Sequence, residues 1–470
     1  MTMARVVHHP LTWDWTPIRL ARRLAERRRF VFLDSAQSGD SLGRFSVLAW
    51  EPEIVFQAFE NASHVTRHDV TETSGQPPLK LLDRLLDEFD YDAEPGMKFP
   101  YGPGAYGVLS YDLGRTIERV PATAADDLGA PLIDLGFYSR VLVFDAMKHH
   151  WWLAARLEDG DSGEGIADFV RDVEQLMAEP RESRPATAPP AVLAKCNMDR
   201  AAYTDAVRRA LAHIRDGDIY QVNLARRFAA DWHDTPFALY ERLRDATPAR
   251  FAAYLHLDDY HVLSASPESF LRRRDLLVST RPIKGTRPRT GDLQTDERAR
   301  GDLTTNPKDR AELSMIVDLE RNDLGRVCEY GTVQVVEHAV VDALPTVFHT
   351  YSTIEGRLRE GTTHGDLLRA TFPGGSITGA PKIRSMQIVE ELEGLRRGPY
   401  TGSVGYLGAG GMLELNIAIR TMVLKDERAY FHAGAGIVAD SDPDAEFDET
   451  HHKAVALLRA LNATASEDAS

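Results

Sequence analysis

The chain has 470 residues, 43% of them apolar, with 55 Lys and Arg against 71 Asp and Glu, a net charge of -16. That length supports a large core and more than one domain-sized unit. The acidic balance excludes a nucleic-acid binder, which needs a basic face for phosphates, and two cysteines, Cys196 and Cys328, exclude a disulfide framework. The opening MTMARVVHHPLTWDW lacks the basic-then-apolar order of a signal peptide, and no apolar run is long enough to cross a bilayer. A reducing cytoplasm is the expected setting, with no membrane contact.

In chain order, RFVFLDS, GPGAYGVLSYDLG and SRVLVFDA read as strands, and PLKLLDRLLDEF reads as a helix. These make up an N-terminal region, residues 1–177. AEPRESRPATAPPA, rich in Pro, Ala and charge, opens a linker over residues 178–194. A denser part, residues 195–462, follows. Ala202, Ala206, Ala210 and Ile214 recur at helical spacing. QVNLARRFAADW and the run from FAAYLHLDD to LLVSTRPIKG read as strands. PKDRAELSMIVDLERNDLGRVC reads as a long helix stopped near Gly325. The segment beginning GTVQVVEHAVVDA returns to strand. PKIRSMQIVEELEG is a helix with Pro at its start and Gly at its end. The last strands, YTGSVGYLG and LELNIAIRTMVLKDERAYFHAGAGIV, precede a helix from about Pro443, with Ala454, Val455, Leu458 and Leu461 as its apolar face. Residues 463–470 are polar and expected to be a disordered tail. The pattern is α+β, with strand groups that look antiparallel.

Three constellations could carry chemistry. Asp309 and Glu312 are three apart on one helix, and Glu446 and Glu449 are three apart on another, with Lys453 continuing that face. Two such faces could converge on a hard divalent cation such as Mg²⁺; two solvated acidic helix starts would look the same. TFPGGSITGAPKIRSMQ runs a Gly-rich turn into a helix, where free amides attract anions. It is not a phosphate-binding P-loop, since Lys382 is not followed by Ser or Thr. Gly434 and Gly436 in HAGAGIVAD could bring backbone close to a ligand. Gln221, Glu268, Lys284, His349, Tyr400 and Arg420 each sit in or beside an apolar run. Taken singly, each reads as an ordinary core or surface polar residue, and Lys284 as a snorkelling charge. G-x-S-x-G, H-E-x-x-H and a cysteine elbow are all missing, which argues against serine, cysteine and zinc hydrolases.

Taken in order, GDIYQVNLARRF, SASPESF, RPIKGTRPR, DRAELSMIVDLERNDLGRV, TFPGGSITGAPKIRSMQIVEELE, YTGSVGYLG, NIAIRTMV and AGAGIVADSDPDAEFDETHHKA resemble the chorismate-utilising enzymes. That family includes anthranilate, aminodeoxychorismate, isochorismate and salicylate synthases. The resemblance is dense from about residue 195 to 460 and looser before, through FLDSA and GRFSVLAWEP. It implies a fold like that of anthranilate synthase component I: two sheet-based halves packed as a sandwich with helices outside, and the N-terminal region co-folded with the rest. It implies chorismate as substrate beside one Mg²⁺ held by Glu312 and Glu449, with Asp309 and Glu446 acting through water. Tyr400, Arg420, Lys453 and the amides near Gly434 and Gly436 are implied as carboxylate binders, with Ser376 and Thr378 on the substrate loop. Glu268 falls on the family's acid position and His349 on a histidine near the ring. Water-adding members carry a lysine where this chain has Gln221, so that branch is disfavoured. Anthranilate-forming members usually carry Ala where this chain has Lys284, and lysine there points to the branch that makes 4-amino-4-deoxychorismate through a covalent lysine adduct. Anthranilate or aminodeoxyisochorismate formation is the alternative. With no glutaminase elbow in the chain, a separate glutamine amidotransferase subunit is implied as the ammonia source. FLDSA and GRFSV resemble a tryptophan-binding region, with Asp34 where Glu is commoner.

Overall fold

The apolar runs pair into two large, mainly antiparallel sheets, and neither sheet belongs to one half of the sequence. The computed structural model describes residues 4–37, 42–92, 101–180, 189–344, 347–408 and 411–469. The first sheet runs through Ala463–Ala469, Val192–Cys196, Gln221–Asp231, Arg428–Ile437, Thr421–Lys425, Tyr260–Ser266 and Phe251–Leu257. It continues with strands from before the linker: Val31–Asp34, Phe45–Ala49, Arg140–Asp145, His150–Leu157, Ala4–Leu11 and Tyr91–Asp92. The second runs from Ile283–Pro288 through Val347–Arg357, Leu277–Arg281, Ser269–Arg274, Leu413–Asn416 and Ser403–Gly408. It then takes Gly104–Leu109, Ile133–Tyr138, Ile54–Ala58, Ser63–Arg67 and Val70–Ser74. The N-terminal region is therefore co-folded with the rest.

The sheets face each other across Val31, Val47, Leu255 and Val262 on one side and Tyr106, Val108, Tyr138 and Tyr406 on the other. Helices cover the outer faces. Pro17–Leu24, Glu164–Ala178, Pro236–Ala246 and Pro443–Leu461 bury Leu24, Val173, Tyr240 and Leu457 on the first sheet. Pro78–Glu88, Pro307–Gly325, His364–Thr371 and Lys382–Glu393 bury Leu81, Leu313, Leu367 and Met386 on the second. This is the α+β sandwich with helices outside. One buried ion pair ties the sheets: the fully buried Arg29 pairs with Asp134 of the second sheet and with Asp258. Tyr260 Oη and Gln57 Nε2 each donate to Asp134 Oδ2 at 3.1 Å.

Three expectations change. The tail is not disordered over 463–469: these residues form a strand parallel to Val192–Cys196, which lies partly inside the expected linker. Polar residues suit an edge strand because one side faces water. Residues 181–188 of that linker lie outside the described residues. On the last helix, Val455 is 38% exposed and Leu457 is buried in its place, because Ala454, Leu457, Leu458 and Leu461 fall at i, i+3, i+4 and i+7 on one face while Val455 lies a residue round from it. Among the described residues, no helix is long and apolar enough to cross a membrane.

Candidate active site

Lys284 is aimed by a bulge. Its strand pairs with Val347–Arg357, Lys284 opposite Thr350 and Thr286 opposite His349, with a register shift at Gly285 between them. Such a bulge re-aims a neighbouring side chain. Only glycine suits the position: φ is +68°, and a Cβ would lie 2.9 Å from Leu303 Cδ2 and 3.3 Å from Asp309 Cγ. Lys284 Nζ donates to the Ser376 carbonyl at 3.1 Å, so the lysine touches the Gly-rich loop and is not a free surface charge. Burial lowers its pKa, with Lys453 helping, while Glu312 and Glu268 work in the opposite direction. The three arginines of its motif are spent elsewhere. Arg281 stacks on Tyr351, Arg287 pairs with Asp302 and Asp309, and Arg289 donates to the Leu344 carbonyl.

Glu268 stands at the start of Ser269–Arg274, buried beside Ser376. Its Oε1 has no hydrogen-bond partner, nor has the Ser376 hydroxyl. Burial raises its pKa, and the neighbouring Ser376 and then Lys284 restrain the rise. A buried carboxyl facing an amine, both with spare hydrogen-bonding capacity, suits an acid and a nucleophile acting on one bound molecule.

The two acidic helices converge. Pro307–Gly325 starts at Pro307 with Asn306 as its cap, and Pro443–Leu461 starts at Pro443 with Asp442 as its cap. Their first two turns bring Glu312, Glu446 and Glu449 into one electrostatic neighbourhood with Lys284 and Lys453. Burial raises Glu312 and Glu446; it pushes Glu449 up too, but Lys453, Lys308 and Lys284 outweigh it and hold that carboxyl low. Glu446 Oε1 accepts from Ser441 at 2.6 Å, and its buried Oε2 has no partner. Lys308, which the motif reading passed over, lies between the helices, 4.0 Å from Glu312 Oε1 and 3.9 Å from Glu446 Oε1. Its spacing four before Glu312 was the available signal. Among the described residues no three metal-type side chains converge into a ready-made cage. Two carboxylates with spare oxygens do fit Mg²⁺, which keeps waters and takes further oxygens from its substrate. Asp309, expected to act through water, has one carboxylate oxygen paired with Arg287 at 2.8 Å.

The opposite wall is built by the paired strands Gln221–Asp231 and Arg428–Ile437. Both side-chain polar atoms of the buried Gln221 lack partners, and a Cβ on Gly436 would lie 2.9 Å from its Nε2. A Cβ on Gly434 would lie 3.0 Å from Tyr400 Oη, so both glycines keep the floor open under polar groups. Tyr400 stacks on His432 at 4.7 Å. Arg420, at φ +49°, donates to Thr247 Oγ1 at 3.1 Å, and no carboxylate pairs with it among the described residues. Burial alone lowers its pKa. An unpaired arginine in a buried site suits a ligand carboxylate. His349 is buried, Nδ1 2.8 Å from Thr286 Oγ1 and Nε2 unpartnered; burial, then Arg420, push its pKa down to about 3, so the ring is neutral. Two residues look inward instead. The Thr378 hydroxyl donates to the Gly374 carbonyl at 2.9 Å and shapes the loop from behind. Lys453 is tied to Glu449 at 2.7 Å and to the Gly434 carbonyl at 2.9 Å, which leaves it a neutralising role.

The FLDSA segment runs out of the first sheet's strand Val31–Asp34. Asp34 Oδ2 accepts from Arg244 Nε at 2.6 Å and Tyr240 Oη at 2.8 Å. The cavity it lines with Ser35, Tyr101, Arg250, Glu414 and Asn416 is about 30 Å³.

The family model described as chorismate binding enzyme matches residues 28–459. Anthranilate synthase component 1 of Acetivibrio thermocellus is 34% identical over 95% of this chain and 92% of its own length. Aminodeoxychorismate synthase component 1 of Salmonella typhimurium is 37% identical over 96% and 98%. The crystal structure of anthranilate synthase component I from Streptococcus pneumoniae superposes with a TM-score of 0.79 at 32% identity, covering 90% of this chain and 93% of that one. Relatives of both names match at similar identity.

Proposed function

From the premise that the chain belongs to the chorismate-binding enzyme family, we propose that it is an aminodeoxychorismate synthase component I, converting chorismate and ammonia to 4-amino-4-deoxychorismate. The observation that carries this reading is Lys284, an amine half-buried against the Ser376 carbonyl with its pKa lowered by burial. A lysine is nucleophilic only when neutral, and burial favours that form.

In this reading Arg420 and Tyr400 receive the substrate carboxylate, and the amides near Gly434 and Gly436 assist. Glu312 and Glu449 would hold Mg²⁺, with Glu446 supporting it; the ion would supply positive charge for the dianionic substrate. Lys284 attacks C2 of the ring, both ring double bonds shift, and the C4 hydroxyl leaves as water with the proton of Glu268. Ammonia then attacks C4, both double bonds shift back, and the C2–N bond to Lys284 breaks, returning the amine. The enolpyruvyl group stays on the ring. Gln221, neutral, cannot activate water as a base, which keeps hydroxide addition out of competition. The ammonia would come from a separate glutamine amidotransferase subunit, with free ammonium replacing it in vitro, and the expected setting is the cytoplasm.

The test is product identity. Incubation with chorismate, Mg²⁺ and ammonium should give the amino-chorismate and no fluorescent anthranilate. Anthranilate formed without any added lyase would instead support the other name carried by the relatives.

A further inference from the structure

Lys308 is the second residue of the helix Pro307–Gly325, one turn before Glu312. A cation in a helix's first turn works against the dipole, so helix stability does not account for a lysine there. Its ammonium instead bridges the two acidic helices, 4.0 Å from Glu312 Oε1 and 3.9 Å from Glu446 Oε1. Among the described residues these two carboxylates are its only charged partners. The lysine side chain is 51% exposed, while those of Glu312 and Glu446 are 16% and 5% exposed. A mobile cation at the rim therefore faces two largely buried anions.

The other two lysines of the site are held more closely. Lys284 donates to the Ser376 carbonyl at 3.1 Å, and Lys453 reaches Glu449 at 2.7 Å and the Gly434 carbonyl at 2.9 Å. Both contacts of Lys308 exceed hydrogen-bond length, so it is attracted without a directed bond. A flexible four-carbon stem with its head at the surface can swing into water at little cost. The oxygens it faces are those that a divalent cation would also seek. An ammonium and a dication crowded on one carboxylate oxygen repel each other strongly.

We propose that Lys308 is a built-in competitor for Mg²⁺, its ammonium bridging Glu312 and Glu446 and swinging out to water when the ion takes Glu312. Lys308 then does two things. It holds the two helix starts together when no ion does, and it lowers the affinity of the site for the metal. The inference rests on the reading of Glu312 and Glu449 as metal ligands.

Lys308→Met keeps most of the stem and removes the charge. Calorimetric titration of Mg²⁺ into the full chain, without chorismate, should show Kd falling about three- to tenfold against wild type. Arg310→Met is the control. It removes the same charge two residues on, from an exposed side chain with no ion pair among the described residues, and should move Kd by less than about twofold. Equal tightening in both variants would mean that diffuse charge acts and not the bridge, and it overturns the proposal. So does a Kd unchanged or raised in Lys308→Met. Thermal unfolding gives the second readout. Lys308→Met should melt below wild type in EDTA, and the gap should close at saturating Mg²⁺, because tighter binding to the folded chain returns the lost stability. A gap of the same size in both conditions overturns the proposal. If neither protein binds Mg²⁺, the metal reading fails and this inference with it; if both bind with one Kd, the metal reading stands and the inference alone falls.

Discussion

Among the described residues neither Lys284 nor Arg420 forms an ion pair. Lys284 reaches only a backbone carbonyl, and Arg420 only a threonine hydroxyl. Replacing Lys284 with Ala should reduce turnover by orders of magnitude while Mg²⁺ binding, read by calorimetry, persists, because the residue supplies a bond and not a metal ligand. Because its pKa is lowered, the neutral fraction grows as pH rises, and wild-type kcat should climb with pH well below the ordinary lysine range until the acid loses its proton. Replacing Arg420 with Ala removes a charge-assisted contact worth about 1.5–3 kcal/mol. That corresponds to roughly a ten- to hundredfold rise in KM for chorismate. An unchanged KM would remove Arg420 from the carboxylate site.

Elements matter here through their ends and irregularities. The bulge at Gly285 turns Lys284 toward the loop, and the two capped helices start at the site, so their first turns place carboxylates at the proposed Mg²⁺ position. Gly285→Ala forces an L residue to φ +68° and a Cβ to within 2.9 Å of Leu303. The expected loss is about 1–3 kcal/mol of stability together with a larger loss of kcat than of chorismate affinity, because the lysine is displaced and the carboxylate binders are not. Equal losses in both would mean the bulge serves folding alone. The caps and apolar stripes of these helices were legible in the sequence, since Pro at N1 and Asp or Asn before it have local causes. What was not legible was the partner across space: Asp309 carries the same spacing to Glu312 as Glu446 does to Glu449, yet Arg287 holds it. The same limit hid the tail strand, which needs Val192–Cys196 as a template.

At the scale of the molecule, strands from both sides of the linker interleave in each sheet, so the site depends on the sandwich staying aligned. Arg29 fastens it. Replacing Arg29 with Leu leaves Asp134 buried without its cation and should cost about 3–5 kcal/mol, seen as a lower urea midpoint, whereas Arg29→Leu with Asp134→Leu should recover part of that loss. No recovery would show that the arginine acts by packing alone. The order of motifs made the fold class and the family readable, because many long segments agreed at once; the proposed reaction turns on single residues such as Gln221 and Lys284, which no run of motifs fixes. The most direct test of that assignment is the product made from chorismate, Mg²⁺ and ammonium, with the intact protein resolved by mass. The expected product is an aminated ring that keeps its enolpyruvyl group, with a covalent adduct on Lys284 when ammonium is withheld. Anthranilate with released pyruvate, and no adduct, would contradict it.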